Sequence, residues 1–179
     1  EVEYEDITST QIDVAFEIVE SPFFEEWVGA KVVIWTTTPW TIPVNQAIAY
    51  GPEIAYRLLE VIDEQIDDKP ELAKFKGERF LIAMDLEAAF LARLGIPESA
   101  VEAAGLYIAP QGFEGVKVRH PMHKLGGFYE TLLPMLPGDF VTTDSGTGLV
   151  HMAPDHGEDD FDLCKTVGIE PVFAVMDDG

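Results

Sequence analysis

Lys31-Val32-Val33-Ile34-Trp35-Thr36-Thr37-Thr38-Pro39-Trp40-Thr41 begins as a strand and ends as a polar rim. Valine, isoleucine, tryptophan and threonine suit a pleated, half-buried surface, so the residues predict a strand from Lys31 to Thr38. Pro39 cannot donate to a ladder and stops it. The consecutive threonines point alternately to the two faces, so at most two of them share a side. The rigid segment Pro39-Trp40-Thr41-Ile42-Pro43-Val44-Asn45 then leaves the strand hydroxyls and the Asn45 amide at a rim, beside the wide surface of Trp40. Such a set suits a ribose, an ester carbonyl or a water. A second stretch, Gly146-Thr147-Gly148-Leu149-Val150-His151-Met152-Ala153-Pro154, has the same character and runs into His156-Gly157-Glu158-Asp159-Asp160-Phe161. The two are far apart in the chain. If folding unites them, they wall a polar pocket that has no metal ligand set and no obvious nucleophile.

The remaining chain predicts many short strands. Ile12, Val14, Phe16 and Ile18 alternate with polar neighbours. Gln46–Tyr50 and Ile54–Ile62 flank a Gly51-Pro52 turn, followed by an acidic loop over Asp63–Pro70. A strand is expected over Arg79–Ala83. A helix should follow from an Asp85 N-cap to Leu94, closed by Gly95. A second short helix is expected over Pro97–Ala104, then strands at Leu106–Ala109, Gly115–Arg119, Phe128–Leu133, Asp139–Thr142 and Gly148–Met152. A helix over Glu158–Val167 and a strand over Pro171–Val175 complete the series. Short strands, frequent turns and a few helices indicate an α+β domain centred on a β-barrel, with the helices peripheral. No G-x-G-x-x-G or P-loop pattern is present, and the strands do not alternate regularly with helices.

Composition sets the class. The 179 residues are 47% hydrophobic and 25% charged, an ordinary globular balance for one domain. The chain opens on Glu1-Val2-Glu3 and reads as a single unit, 1–179, cut from a longer protein. A lone Cys164 leaves no disulfide framework and suits a reducing compartment. Eleven Lys and Arg against 33 Asp and Glu give a net charge of −22, which argues against nucleic acid as a general partner. Two small basic groups stand out against it: Lys74, Lys76 and Arg79, and Lys117, Arg119 and Lys124 with His120 and His123 between. Either is a local place for phosphate.

The acidic segment does not form a metal motif. An EF-hand loop begun at Asp155 would need glycine sixth and glutamate twelfth, where Asp160 and Thr166 stand. His151 and His156 lack the zincin spacing. Glu158 and Asp159 suit a helix N-terminus. Asp160 falls in line with Cys164 and Val167, which turns its carboxylate inward and calls for a partner such as a cation. Asp144-Ser145-Gly146 matches the D-[ST]-G loop of aspartic proteases, but one copy demands a homodimer. An acidic interaction module without turnover is the other alternative.

At these residues the chain resembles the editing domain inserted in class I aminoacyl-tRNA synthetases, specifically the isoleucyl family. Thr36-Thr37-Thr38-Pro39-Trp40-Thr41 is similar to that family's threonine-rich peptide. Thr38 and Trp40 stand where valyl and leucyl relatives usually carry Arg and an acid. Gly146 to Pro154, through Asp160-Phe161, is similar to its second motif. Val44 and Asp155 are mild departures, standing where Ala and Gly are commoner. The resemblance implies hydrolysis of valine wrongly esterified to isoleucine tRNA, and of valyl-adenylate. It implies that Asp160 holds the α-ammonium and that His151 shapes the small pocket. Thr37, Thr38 and Asn45 would bind the ester and terminal ribose or place the water, with Thr36 and Trp40 also against the substrate. Expected partners are the 3′ end of the tRNA and the rest of the synthetase. A cytoplasmic monomer away from membranes is expected, with no metal and no cofactor in this domain. ATP belongs to the parent enzyme's catalytic domain, whose motifs are absent from these residues, so no aminoacylation is expected.

Overall fold

A computed structural model describes residues 10–62, 66, 69–108 and 112–173. Its strands are β1 (Ile12–Glu20), β2 (Lys31–Thr36), β3 (Ala47–Tyr50), β4 (Ala55–Val61), β5 (Arg79–Ala83), β6 (Val101–Ile108), β7 (Lys117–Arg119), β8 (Leu133–Pro137) and β9 (Leu149–Met152). Two helices join them, α1 (Glu87–Leu94) and α2 (Glu158–Thr166), with several 3-10 turns between strands. The strands form one mixed sheet in the order β6-β4-β5-β2-β1-β7-β8-β3-β9. Among the described residues only β2 with β5 and β3 with β8 run parallel.

Alternation along each strand sorts side chains into separate cores. Val32 and Ile34 of β2, Leu81 and Ala83 of β5, and Ile48 and Tyr50 of β3 face one large cluster with Phe16, Trp27 and Phe113. Their neighbours Val33, Phe80 and Ile82 face the opposite way and meet Phe90 and Leu91 of α1. Ala47 and Ala49 of β3 likewise turn toward Met152 and Cys164, where α2 packs. Strands buried on both faces read as continuous apolar runs, which is why β2, β3 and β5 stand out in the sequence.

The expected barrel is not closed. Among the described residues β6 pairs only with β4, and β9 only with β3. The sheet nevertheless coils until its two halves meet. Thr147, just before β9, donates its hydroxyl to the Val33 carbonyl of β2 at 2.5 Å. The Ala83 amide of β5 donates to the Thr147 carbonyl at 2.9 Å. Tyr56 of β4 adds a third tie, donating to the Gly148 carbonyl at 2.6 Å while accepting from the Gly51 amide at 2.8 Å. Gly146 and Gly148 hold φ of 81° and 73°, so the approach to β9 is a turn and no ladder forms there.

Several expected elements differ. The helix over Pro97–Ala104 is a 3-10 turn, Glu98–Ala100, and then β6, because pairing with β4 overrides local propensity. Residues 128–130 lie in the 3-10 turn Gly127–Glu130, and β8 begins only at Leu133. Residues 139–142 form a turn and irregular backbone, and 171–173 are not a strand. Asp85 does not cap α1: it sits in the 3-10 turn Met84–Leu86, and the helix starts after Leu86 without a side-chain cap. Gly95 closes that helix in the left-handed region, as expected. Most of the 63–70 loop, Ala109 and the end of the 171–175 strand lie outside the described residues.

A Cβ at position 148 would overlap that of Ala83 and also face a positive φ, whereas one at Gly77 (φ 66°) meets nothing within 4 Å. Gly148→Ala should therefore cost about 3 kcal/mol or more, and Gly77→Ala about 1 kcal/mol. Urea denaturation of the two variants checks the contrast, and equal losses would contradict the coiled-sheet contact.

Candidate active site

Folding brings the two polar stretches together. The strand that follows the first, β3, pairs antiparallel with β9, placing Ile48 opposite His151. Trp35 lies against Gly146, within 3.6 Å of where a side chain there would begin. The most direct link is polar: the Thr41 hydroxyl lies 3.0 Å from His151 Nε2.

The threonine peptide is shorter as a strand than its composition suggests. β2 ends at Thr36, whose buried hydroxyl accepts from the Thr38 amide at 3.0 Å and meets the Thr38 hydroxyl at 3.2 Å. This local turn competes with ladder pairing, as Thr side chains often do. Pro39–Val44 then winds into a 3-10 turn with Pro39 at its first position. Thr37 is exposed, Thr38 is half-buried, and Trp40 presents 66% of its surface. Thr41 is buried.

Asn45 is not at a rim. It is fully buried, and its amide nitrogen donates to the Ala47 carbonyl at 3.0 Å, while its Oδ1 has no partner among the described residues. The tight return from the 3-10 turn into β3 draws this side chain inward, a consequence of tertiary pairing that composition does not encode.

His151 is half-buried as a residue, and its ring nitrogen Nδ1 is buried and has no partner among the described residues. Burial lowers its pKa to about 4, and His156 nearby acts in the same direction. The imidazole is therefore neutral over the ordinary range.

Asp160 does turn toward the body of the protein, though its partner is not a cation. At the third position of α2 its Oδ2 accepts from the Ala153 amide at 2.7 Å, folding back over Gly157. Burial raises its pKa, and the Ala153 hydrogen bond opposes that rise. Of the apolar face it was expected to share, Cys164 is buried but Val167 is exposed. Burial also pushes the Cys164 thiol up to about 11, with the Asp160 charge a second cause, so no thiolate nucleophile forms there. His156 acts on both His151 and Asp160, which puts the two candidates within one electrostatic neighbourhood.

Sequence reasoning did not single out Thr41, Thr147 or Tyr56, since one hydroxyl in a strand-like run carries no distinguishing signal. Both basic groups are largely engaged. Lys117 and Arg119 pair with Glu20 and Glu17, and Arg79 donates to the Glu26 and Val28 carbonyls. His120 is buried, with burial lowering its pKa. Asp144 is exposed in a bend and lines a cavity of about 640 Å³ with Glu53 and Asp139, whose walls include none of Thr36, Thr37, Thr38, Thr41, Asn45, His151 and Asp160. A larger cavity, about 1010 Å³, is walled mainly by apolar side chains such as Phe24, Tyr50, Met135 and Val167. Its charged walls are Glu114 and Lys117, and none of Thr36, Thr37, Thr38, Trp40, Asn45, His151 and Asp160 lines it. Among the described residues no cluster of three or more His, Cys, Asp or Glu is placed to hold a metal, and no helix is long and apolar enough to cross a membrane.

Comparison with known proteins identifies the setting. No family model matches. Isoleucine–tRNA ligase of Gluconobacter oxydans is 50% identical across 100% of this chain, which spans 18% of that protein. The Zymomonas mobilis ligase is 46% identical across 100% of this chain and 17% of its own length. The chain thus spans less than a fifth of the curated relatives it matches. Among solved structures, the P. falciparum cytosolic leucyl-tRNA synthetase editing domain superposes with TM-score 0.56 at 18% identity, covering 77% of this chain and 48% of that one. The P. knowlesi counterpart gives 0.60 at 12% identity, covering 89% and 63%. Sequence and fold together place this chain in the isoleucyl-tRNA synthetase family, as the segment that folds like the editing domains of class I synthetases.

Proposed function

We propose that this site hydrolyses valine wrongly esterified to isoleucine tRNA, and valyl-adenylate in the same pocket. The supporting observation is the meeting of the two polar stretches at Thr41 and His151, with Asp160 in the same electrostatic neighbourhood. The selective need is physical. One missing methylene is worth only about 1–3 kcal/mol, a general figure for which the isoleucyl enzymes' choice between isoleucine and valine is itself the standard example. A smaller second pocket supplies the remaining discrimination.

The chemistry suits the residues. An aminoacyl ester is already activated, so the site has to orient it and a water, with no covalent step on the protein. Asp160 binds the α-ammonium through the oxygen that Ala153 does not occupy. Thr37 and Thr38 hold the ester and terminal ribose, Thr36 braces Thr38, and Trp40 offers an exposed ring to the 3′ end. Asn45 is too buried to meet a ribose directly and supports the return into β3. The rest of the synthetase and its tRNA are the partners, and the charge of −22 assigns most tRNA affinity to other domains. Neither the aspartyl hydrolase at Asp144 nor an inert acidic module gains support from the family to which the chain belongs.

Asp160→Asn removes the charge while leaving an oxygen for the Ala153 amide. It should lower valine release from isoleucine tRNA about 100-fold with little loss of stability. Deacylation of Val-tRNA and Ile-tRNA in parallel checks this, and equal release of both esters by the wild type would end the reading. Binding of uncharged tRNA to this chain at physiological salt should be weaker than about 1 μM, and a titration giving tighter binding would contradict the charge argument.

The neutral His151 has a linkage consequence. Its folded pKa of about 4 lies below the unfolded value of 6.5, so the unfolded chain binds more protons between them. Stability should fall as pH drops through that window and lose nothing further to this group below it. His151→Gln should be spared about 2 kcal/mol of the wild type's loss between pH 7 and 4.5. Urea titrations of both proteins at the two pH values measure it.

A further inference from the structure

The Thr41–His151 contact carries more information than proximity. Thr41 Oγ1 also lies 2.8 Å from the Thr38 carbonyl, and a carbonyl oxygen can only accept. The single hydroxyl proton is therefore directed at Thr38. Toward His151 Nε2, 3.0 Å away, the same oxygen has only a lone pair to offer. A hydrogen bond there requires the proton to sit on Nε2. In a neutral imidazole the other nitrogen is then bare, and that nitrogen, Nδ1, is the buried atom without a partner among the described residues.

We infer that Thr41 is a positioning residue that fixes His151 in its Nε2–H tautomer, so that His151 offers a bound aminoacyl ester the Nδ1 lone pair, an acceptor for an N–H or O–H donor. The bearing on the ester rests on the proposed function, whereas the tautomer does not. A buried acceptor left without a partner suits a donor-rich ligand. An aminoacyl ester brings donors from its α-ammonium and from the free ribose hydroxyl. Thr41 is buried, its backbone amide also donates to Thr38 at 3.1 Å, and so its hydroxyl is held in place from both ends.

The test uses the chain labelled with 15N-histidine, in which His151 is assigned by its absence from His151→Gln. The wild type and Thr41→Ser should carry the proton on Nε2, while Thr41→Val should gain an Nδ1–H population. In parallel, kcat/KM for Val-tRNA hydrolysis should fall about tenfold in Thr41→Val and return in Thr41→Ser. Substrates whose terminal ribose keeps the oxygen that bears the ester but lacks the neighbouring hydroxyl separate the donors: the Thr41→Val loss vanishes with them if the ribose hydroxyl is the donor and persists if the ammonium is. A wild type protonated on Nδ1 overturns the proposal, and this measurement needs no variant to fold. So does a Thr41→Val chain whose tautomer changes without any loss of hydrolysis. A wild type with the expected tautomer but no hydrolysis removes the editing reading and upholds the tautomer assignment.

Discussion

The fold depends on one constraint, the coiling of a nine-stranded sheet until the approach to β9 touches β2 and β5. Thr147 carries it with both a side-chain and a main-chain hydrogen bond, and Tyr56 locks the next residue. These ties are buried, so breaking any of them strands polar groups that water cannot reach. They also set the position of His151, four residues beyond Thr147 on a short strand. Arg93 reinforces the same place from outside, bridging Asp13 of β1 and the Gly146 carbonyl. The site is thus assembled by sheet curvature, and its residues need not be neighbours in any one element.

That dependence explains what the sequence reveals. β1, β3, β4, β5 and β9 are legible because their apolar patterns answer directly to burial. β6 is not: Val101–Ile108 is an edge strand that opens on Val101-Glu102-Ala103-Ala104, and a helical reading of Pro97–Ala104 is locally better. Only the ladder with β4 decides against it. The two polar stretches are legible as chemistry, since hydroxyls, imidazoles and acids are rarely so concentrated. Their meeting is not, because it passes through Thr147 and the β3–β9 register. Asn45 shows the limit well, an amide whose residue type fits a rim but whose backbone return places it fully inside.

The site differs from a nucleophile-based hydrolase in the charge states it keeps. A buried neutral imidazole, a thiol held well above its usual range and a carboxylate engaged by a backbone amide give no activated attacking group. What they give is orientation. Such a site suits a substrate that supplies its own leaving group and its own cation. The exposed acidic surface works in the same direction by giving the phosphate backbone little reason to dwell on this lobe.

Asp160 links these features. Burial disfavours its charged form, and hydrogen bonds from the Ala153 amide and its own amide only partly offset that. A cation placed beside it would favour ionisation and lower the pKa. By linkage, the same carboxylate then binds an ammonium more tightly as pH rises through its own titration. Ala153, which occupies Oδ2, belongs to the segment between β9 and α2, so cation binding and the pose of that segment share one side chain. The acid at the start of α2 is a structural fastening and, on the proposed function, the charge the substrate would meet, and a neutral isostere is the substitution that tells the two roles apart.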